Sequence, residues 1–546
     1  MGDTMYINFS NIPAHQNLFL DYIEEFANVE RFYGKNFRDV ESYEPFFKRI
    51  SEEGRHHRNT LAEILKFQYS NQKISKRTQQ NLELLKSNKT IVVATGQQLG
   101  IMGGPLYTIY KTITAIKLCN YLRENHTDYN FVPVFWLEGD DHDYDEVRSF
   151  NILNNENQLL KLEYEDGLSE EINRGPVGEQ KFSENIELVI NKLTANLRET
   201  EFKPVILAFI KSIYKPGRTF LESFRELMIK LFDEYGLIIF NPIDPAVKRI
   251  LVPVFSKQIT DFADHTGTLV ERSAELEEIY HAQVKVKPIN LFLTDNKERL
   301  LIEPTETGEF RLKGKRKKFS KDELLLLLES SPDKFSPNVL LRPICQDYLF
   351  PTGFYIGGPA EISYFAQVTP LYKIYGIEEP FLYPRSSATI VEKGVKAILE
   401  KNNLSYNDIF LDENELINKI VSASSGLNID NIFAKTSEEM NLLFEPINKM
   451  LKSIDKTLSD LTAKSKIRIE ETLNYLKTKA TEAETRKYDS TIRQLTKVRN
   501  VLYPNNNLQE RELNFIYFAN KYGMGFTEWI FNELSINKFE HQIIEL

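Results

Sequence analysis

The rhythm of apolar positions changes several times along the chain. Over residues 1–90 apolar side chains are scattered through a background of Glu, Lys, Asn and Gln, which predicts polar helices packed ahead of the first core strand. At Thr90 the texture switches to a short β-branched run, Ile91-Val92-Val93-Ala94, followed by a turn rich in glycine, Gly96 to Pro105. Leu106, Ile109, Ile113 and Ile116 then recur at helical spacing, with Pro105 placed for a first turn. A second apolar run, Phe131 to Leu137, stops at Glu138-Gly139-Asp140-Asp141-His142-Asp143, the pattern of a buried parallel strand feeding a loop. Pro133 is expected near the start of that strand, because a central strand uses every backbone N–H.

Strand, glycine turn and helix form the opening of a nucleotide-type α/β unit, so the expected fold is α/β with a Rossmann-like core. Residues 91–150 carry its first part. Residues 151–215 are charged and weakly periodic and read as an insertion. The core resumes over 216–264, with an amphipathic helix near Phe220 to Glu234 and a strand Leu237 to Phe240. Residues 265–338 read as a second insertion, with β-like runs from Val284 to Phe292 and a basic hairpin, Arg311 to Lys318. Val339-Leu340-Leu341, Phe354-Tyr355-Ile356 and Phe381-Leu382-Tyr383 mark a third core part, 339–392. Residues 393–503 are helical. There Ile447, Leu451, Ile454, Leu458 and Leu461 step by four and three, a heptad seam that either packs back on the body or pairs with a second chain. Residues 504–546 are expected to return to the core.

Composition narrows the function classes. A chain of 546 residues exceeds one ordinary core, and 42% hydrophobic residues exclude a disordered one. With 68 Lys and Arg against 78 Asp and Glu, a general nucleic-acid binder is disfavoured, although local basic pockets are not. Cys119 and Cys345 are the only cysteines, so a disulfide scaffold or a cysteine-rich metal site is excluded. The most apolar run outside the core strands, Leu324 to Leu328, is far below the roughly 20 residues that span a bilayer. No leader-like stretch opens the chain, and the expectation is a soluble, cytoplasmic protein without a membrane partner.

Three stretches could carry chemistry. In the first, Gly96, Gln97, Gln98, Gly103, Gly104 and Pro105 offer backbone N–H groups at a helix start, a cradle for phosphate or carboxylate oxygens. Tyr107 could add a hydroxyl and Lys111 a cation; close helix–strand packing is the plainer reason for the glycines. In the second, Asp141, His142 and Asp143 lie among five carboxylates and could bind a divalent ion, contact an amine, or pair as a general base; a solvated capping turn would look the same. In the third, Gly357 and Gly358 precede Glu361 and Tyr364 at another helix start, where Glu361 either caps the helix or binds an ammonium group. Arg342 and Arg385 follow apolar runs and need anionic partners if buried. The basic run Lys315 to Lys318 reads as a solvated hairpin.

Several motifs together resemble one family. Ala94-Thr95-Gly96-Gln97-Gln98 with Gly103-Gly104-Pro105, Phe135-Trp136-Leu137-Glu138 before Asp141-His142-Asp143, Leu341-Arg342-Pro343, Gly358-Pro359-Ala360-Glu361-Ile362-Ser363-Tyr364 and Leu508-Gln509-Glu510-Arg511 occur in one order. This combination resembles the bacillithiol biosynthesis cysteine-adding enzymes, the cysteine ligases of that pathway. The resemblance implies a Rossmann-like core related to class I aminoacyl-tRNA synthetases, connecting insertions, and a coiled coil that mediates homodimers. It implies amide-bond formation between L-cysteine and glucosaminyl malate, with ATP as the expected activating nucleotide and Mg²⁺ as its companion. On that footing the Gly96–Pro105 turn and Lys111 would face phosphate. Asp141, His142 and Asp143 would hold Mg²⁺ or an ammonium group, or take a proton. Glu361 and Tyr364 would position substrate, and Arg385 would meet a malate carboxylate. The His-x-Gly-His signature of the synthetases is absent. Pro504, Asn505, Gln509 and Arg511 form either a second anion or nucleotide site or a helix-start turn. A metal-dependent hydrolase centred on the acidic loop and a non-catalytic coiled-coil scaffold are the competing expectations.

Overall fold

Thr90–Gln98 (β1) and Asn130–Glu138 (β2) are buried along almost their whole length, as strands covered by helices on both faces must be. Ile238–Phe240 (β3), Thr352–Gly357 (β4) and Phe381–Pro384 (β5) complete a sheet of order β5-β4-β1-β2-β3. Every neighbouring pair in it is parallel. The computed structural model describes residues 5–53, 57–169, 172–425, 429–455, 458–487 and 489–546. They form two units, one running to Ile390 and resuming over Asn507–Glu545, the other Val391–Asn506 with Leu546.

Parallel strands need crossovers, and the helices Tyr107–Asn125 (α1) and Pro359–Tyr375 (α2) link β1 to β2 and β4 to β5. The chain builds outward from β1 on one side through β2 and β3, and on the other through β4 and β5. The strand order therefore reverses between β1 and β4, where an open α/β sheet leaves a crevice at its carboxyl ends. Pro133 sits within β2, opposite Val93 of β1. The short β3 pairs only with Val134 to Trp136, so the proline lies beyond that ladder.

The helix after β1 starts at Tyr107, two residues later than the position of Pro105 suggests. Met102, Gly103 and Gly104 all take positive φ, and this tight bend delays the helix. The first insertion begins with an antiparallel hairpin, Ser149–Leu153 with Leu159–Glu163, and continues into helices Asn185–Asn196 and Lys203–Ile213. The second carries a five-stranded antiparallel sheet. Its first strand is Leu291–Asp295, so the run from Val284 to Asn290 is irregular rather than β. Lys318–Phe319 pairs with Phe310–Arg311, closing the basic hairpin on the surface. Val339 to Leu341 form no strand and lead into the helix Arg342–Leu349. A third sheet places His541–Glu545 between Met5–Ile7 and Ser387–Val391, joining the two ends of the described chain.

In the second unit Ile429–Ile454 packs against Leu458–Lys487 as a helical hairpin. The helix break after Ile454 interrupts the expected seam, and Ile447, Ile454 and Leu461 point outward instead of into the hairpin. A small core forms where Leu416 and Leu495 meet Ile398, Leu404 and Leu411.

Candidate functional site

The crevice at the strand-order reversal is a cavity of about 520 Å³. It is lined from β1 by Gly96, Gln97 and Gln98, from α1 by Tyr107 and Lys111, from β2 and its loop by Trp136, Glu138, Asp141, His142 and Glu146, and from α2 by Gly358, Glu361 and Tyr364. Gly96 is required by close approach, since a Cβ there would lie 2.9 Å from the Trp136 carbonyl oxygen. A Cβ on Gly358 would press on Arg385 Nε at 3.3 Å.

One buried ion pair joins the two strand–turn–helix junctions. Lys111 Nζ lies 2.6 Å from Glu361 Oε2 and donates to the Gly96 carbonyl at 2.7 Å and to Gln97 Oε1 at 3.1 Å. Glu361 also accepts the Gly358 N–H at 2.8 Å, closing the capping box of α2, and the Tyr355 hydroxyl at 2.6 Å. Burial pushes this carboxyl up, but Lys111, Tyr355 and the Gly358 N–H outweigh it and hold Glu361 below the usual range. Lys111, expected to reach a ligand, is spent on this pair and is 1% exposed.

Half of the glycine turn faces elsewhere. Gly103, Gly104, Pro105 and Gly357 do not line the cavity. The N–H groups of Gly103 and Gly104 are already bonded to the carbonyls of Gly100 and Ile101, and that of Leu106 to Leu513. Asn514 donates to the carbonyls of Met102 and Gly104 at 2.9 and 2.6 Å, so the returning C-terminal segment clasps this bend. The open cradle expected there is closed by the protein's own backbone. Gly357 ends β4 and accepts the Arg385 N–H.

The acidic loop divides its members. Asp140 is buried against Lys248 Nζ at 2.5 Å, and Lys248 also donates to the Phe335 carbonyl, which anchors the loop base to the second insertion. Asp141 accepts Gln98 Nε2 at 2.7 Å and the N–H of His142 at 2.7 Å. Burial opposes its ionisation, yet Gln98, the Arg299 guanidinium and the backbone N–H groups of His142 and Asp143 keep it below the ordinary aspartate value. Arg299 donates to His142 Nδ1 at 2.9 Å, which puts the neutral ring's proton on Nε2. Burial and Arg299 both lower the His142 pKa, so the ring is neutral at physiological pH. Asp143 caps the short helix Tyr144–Val147 through the Glu146 N–H and does not line the cavity.

Mg²⁺ does not fit this loop. The Asp141 oxygens and the His142 Nδ1 lone pair are engaged, a guanidinium stands beside them, and Asp143 is turned to its helix. Among the described residues no group of three His, Cys, Asp or Glu side chains could hold a metal ion.

Sequence reasoning gave Glu138 no role, although it ends β2. Trp136 Nε1 donates to its carboxylate at 3.2 Å and Arg342 Nε lies 3.8 Å away. Burial dominates, and the neighbouring Asp140 and Asp141 charges add to it; against Arg342 they push the Glu138 pKa up to about 7. Arg342 donates to the hydroxyls of Tyr364 at 3.0 Å and Tyr355 at 3.2 Å. Arg299 reaches the site from an insertion strand with no local motif to mark it. Arg385 lines the cavity above the Tyr107 ring and pairs at 2.5 Å with Glu510, which is fully buried and also takes Ser387 Oγ and the Ala388 N–H. Of the second candidate site, Gln509 bonds both backbone groups of Ile390, Arg511 lines the central cavity, and Pro504 and Asn505 belong to the other unit. Cys119 and Cys345 are buried, and burial raises the Cys119 thiol to about 12, which leaves it unreactive.

Two family profiles cover almost the whole chain: Bacillithiol biosynthesis BshC, N-terminal Rossmann-like domain, over residues 4–386, and the C-terminal coiled-coil domain of the same family over 388–546. The chain belongs to the BshC family. Relatives named "Putative cysteine ligase BshC" include one from Salinibacter ruber, 33% identical over 98% of this chain and 97% of its own. One from Chlorobaculum tepidum is 34% identical over 85% and 84%, and one from Chloroherpeton thalassium 32% identical over 96% of each. The boundary between the two BshC profiles falls at the edge of the second unit, and the whole cavity lies within the first profile's residues except for Arg511. Among the described residues no helix is long and apolar enough to cross a membrane.

The Asp140–Lys248 pair gives a test of how the loop is held. Lys248→Met leaves a buried carboxylate without its partner and is expected to cost about 3–5 kcal/mol in urea unfolding. Lys248→Met with Asp140→Asn should recover much of that loss. A single variant as stable as the parent would show that the pair does not anchor the loop.

Proposed function

We propose that this chain is a cysteine ligase that adds L-cysteine to glucosaminyl malate through an amide bond, the last step of bacillithiol biosynthesis. The names of its BshC relatives support the reaction class. The observation that carries the mechanism is a pair of carboxylates with opposite proton affinities in one cavity. Asp141 stays ionised, while Glu138 titrates near neutrality. Environments that push two acids apart assign them different roles.

Asp141, permanently anionic, holds the cysteine ammonium group. Glu138 takes the proton that the glucosamine amine loses as its nitrogen bonds to the cysteine carboxyl carbon and the activated carboxyl oxygen leaves. His142, fixed by Arg299 with its proton on Nε2, donates a hydrogen bond from that atom and orients the substrate. Gln97 and Tyr364 line the cavity with neutral polar groups, while Gln98 is committed to Asp141 and Glu146. ATP would supply the activation of the cysteine carboxylate, and Arg385 and Arg511 are among the cations that would hold its phosphates. A metal-dependent hydrolase lacks a donor set in the acidic loop. A scaffold would not need buried cations and carboxylates gathered in a cavity, since each costs desolvation.

A homodimer through the second unit belongs to the same reading. Leu443, Ile447, Met450 and Ile454 are each more than two-fifths exposed and recur at heptad spacing along the helix Ile429–Ile454. Such a stripe is a coiled-coil seam awaiting a partner. Light scattering is expected to give a dimer mass for the parent chain and a monomer for Ile447→Glu with Ile454→Glu; an unchanged mass would remove the seam from the dimer.

The catalytic assignment predicts a pH profile. Because Glu138 is raised to about 7, its proton-accepting form grows as pH rises through that value, and the rate of cysteine addition should rise with it. Glu138→Gln should lower kcat by about 10²–10⁴-fold and abolish that limb. Asp141→Asn should instead raise the KM for cysteine and keep the limb. A Glu138→Gln enzyme with the parental profile would take the base role away from this residue, and absence of the cysteine adduct from cysteine, glucosaminyl malate and ATP would overturn the ligase reading.

A further inference from the structure

The cavity holds more positive charge than its own carboxylates neutralise. Seven Lys and Arg side chains line it against four Asp and Glu, in a chain whose net charge is −10. Most of these cations are engaged: Lys111 by Glu361, Arg385 by Glu510, Arg342 by Glu138 and two tyrosines, Arg299 by Ser336, Pro337 and His142. Lys285, Lys287 and Arg511 line the same cavity, and none has a carboxylate partner among the described residues. The exposed basic hairpin behaves differently, with Lys315 paired to Glu298 and Lys318 to Glu309.

Lys285 and Lys287 sit on the irregular strap between the helix Phe262–Glu277 and the strand Leu291–Asp295, and the strap is pinned. Gln367 of α2, fully buried, accepts the Val284 N–H at 2.9 Å and donates to the Val284 carbonyl at 2.8 Å and to Ser273 Oγ at 2.9 Å. Thr266 donates to the Pro288 carbonyl at 2.7 Å, and Asn338 bonds both the backbone and the side chain of Asn290. Both lysines are thus carried by a segment fixed before and after them. Two ammonium groups two residues apart in the chain and a third cation line one cavity without carboxylate partners among the described residues, a set that a ligand with two or more negative charges matches better than a single charge can.

We propose that this strap is the cleft's grip for a multiply charged anion, with Lys285 and Lys287 as its paired ammonium donors and Arg511 as the third cation. The chemistry fits a vicinal dicarboxylate, such as a malyl group, or a polyphosphate. The proposal rests on the reading of the cavity as the substrate site, and its readout is binding, not turnover.

Isothermal titration calorimetry on the full chain, with malate in one arm and inorganic tripolyphosphate in the other, tests it. Acetate at matched ionic strength is the single-charge control. At least one multiply charged anion should bind, and the arm that does names the source. Lys285→Ala with Lys287→Ala should weaken that binding by about tenfold or more, while Lys285→Arg with Lys287→Arg stays within about threefold. The parental melting temperature should persist, because both side chains lie over the cavity rather than in the core. No binding in either arm, or full binding by the alanine variant, overturns the proposal. Lysine-dependent binding without cysteine addition would leave the strap standing and remove the ligase reading. Cysteine addition by the alanine variant with parental KM values for glucosaminyl malate and ATP would do the reverse.

Discussion

The Lys111–Glu361 ion pair is the constraint on which the cleft depends. A lysine with 1% exposure loses its hydration, and only a close carboxylate with further hydrogen bonds makes that burial tolerable. The pair spends Lys111 on the end of β1 and Glu361 on the cap of α2, and in doing so fixes the two halves of the sheet at the place where strand order reverses. Gly96, Gln97, Gly358 and Tyr355 are each held by one member of the pair. The cavity has rigid walls because two helix starts share one buried charge contact.

Around that weld the protein sorts its charges. Asp141, held below the ordinary aspartate value, has Gln98 and two backbone N–H groups as donors, and the buried Glu510 is bonded by Arg385, Ser387 and Ala388. Glu138 is given burial and like-charged neighbours, with Arg342 only as a distant counterweight, and so titrates near neutrality. The C-terminal segment contributes at two points, Asn514 clasping the glycine bend and Glu510 holding Arg385 over the cavity. Asn514 thus reaches back 412 and 410 residues to the bend, and Glu510 125 residues to Arg385.

Local pattern made the sheet legible. Ile91 to Ala94 and Phe131 to Leu137 could only be buried strands, and the glycines after the first announced a turn before a helix. The family motifs reached further, because Gly358, Glu361 and Tyr364 fall together in a single capping turn. What the sequence did not disclose was long-range pairing. Lys111 carries no mark that its partner is Glu361, 250 residues on, nor does Asp140 show that Lys248 will neutralise it. Asp143 looked like part of a site and proved to be a helix cap, since one short acidic run contains both kinds of residue. The heptad across Ile454 and Leu458 predicted one seam, but the helix ends there and the apolar stripe is left outward. Arg299 and the strap lysines come from an insertion whose texture gave no hint of the cavity it covers.

The central claim is that one hollow, at the carboxyl ends of β1 and β4, receives both reactants. A crystal structure with cysteine and glucosaminyl malate bound tests it most directly. Cysteine's ammonium group should lie against Asp141 with the glucosamine amine within hydrogen-bond reach of Glu138. Either reactant found on another face of the first unit, with this hollow empty, would contradict the account.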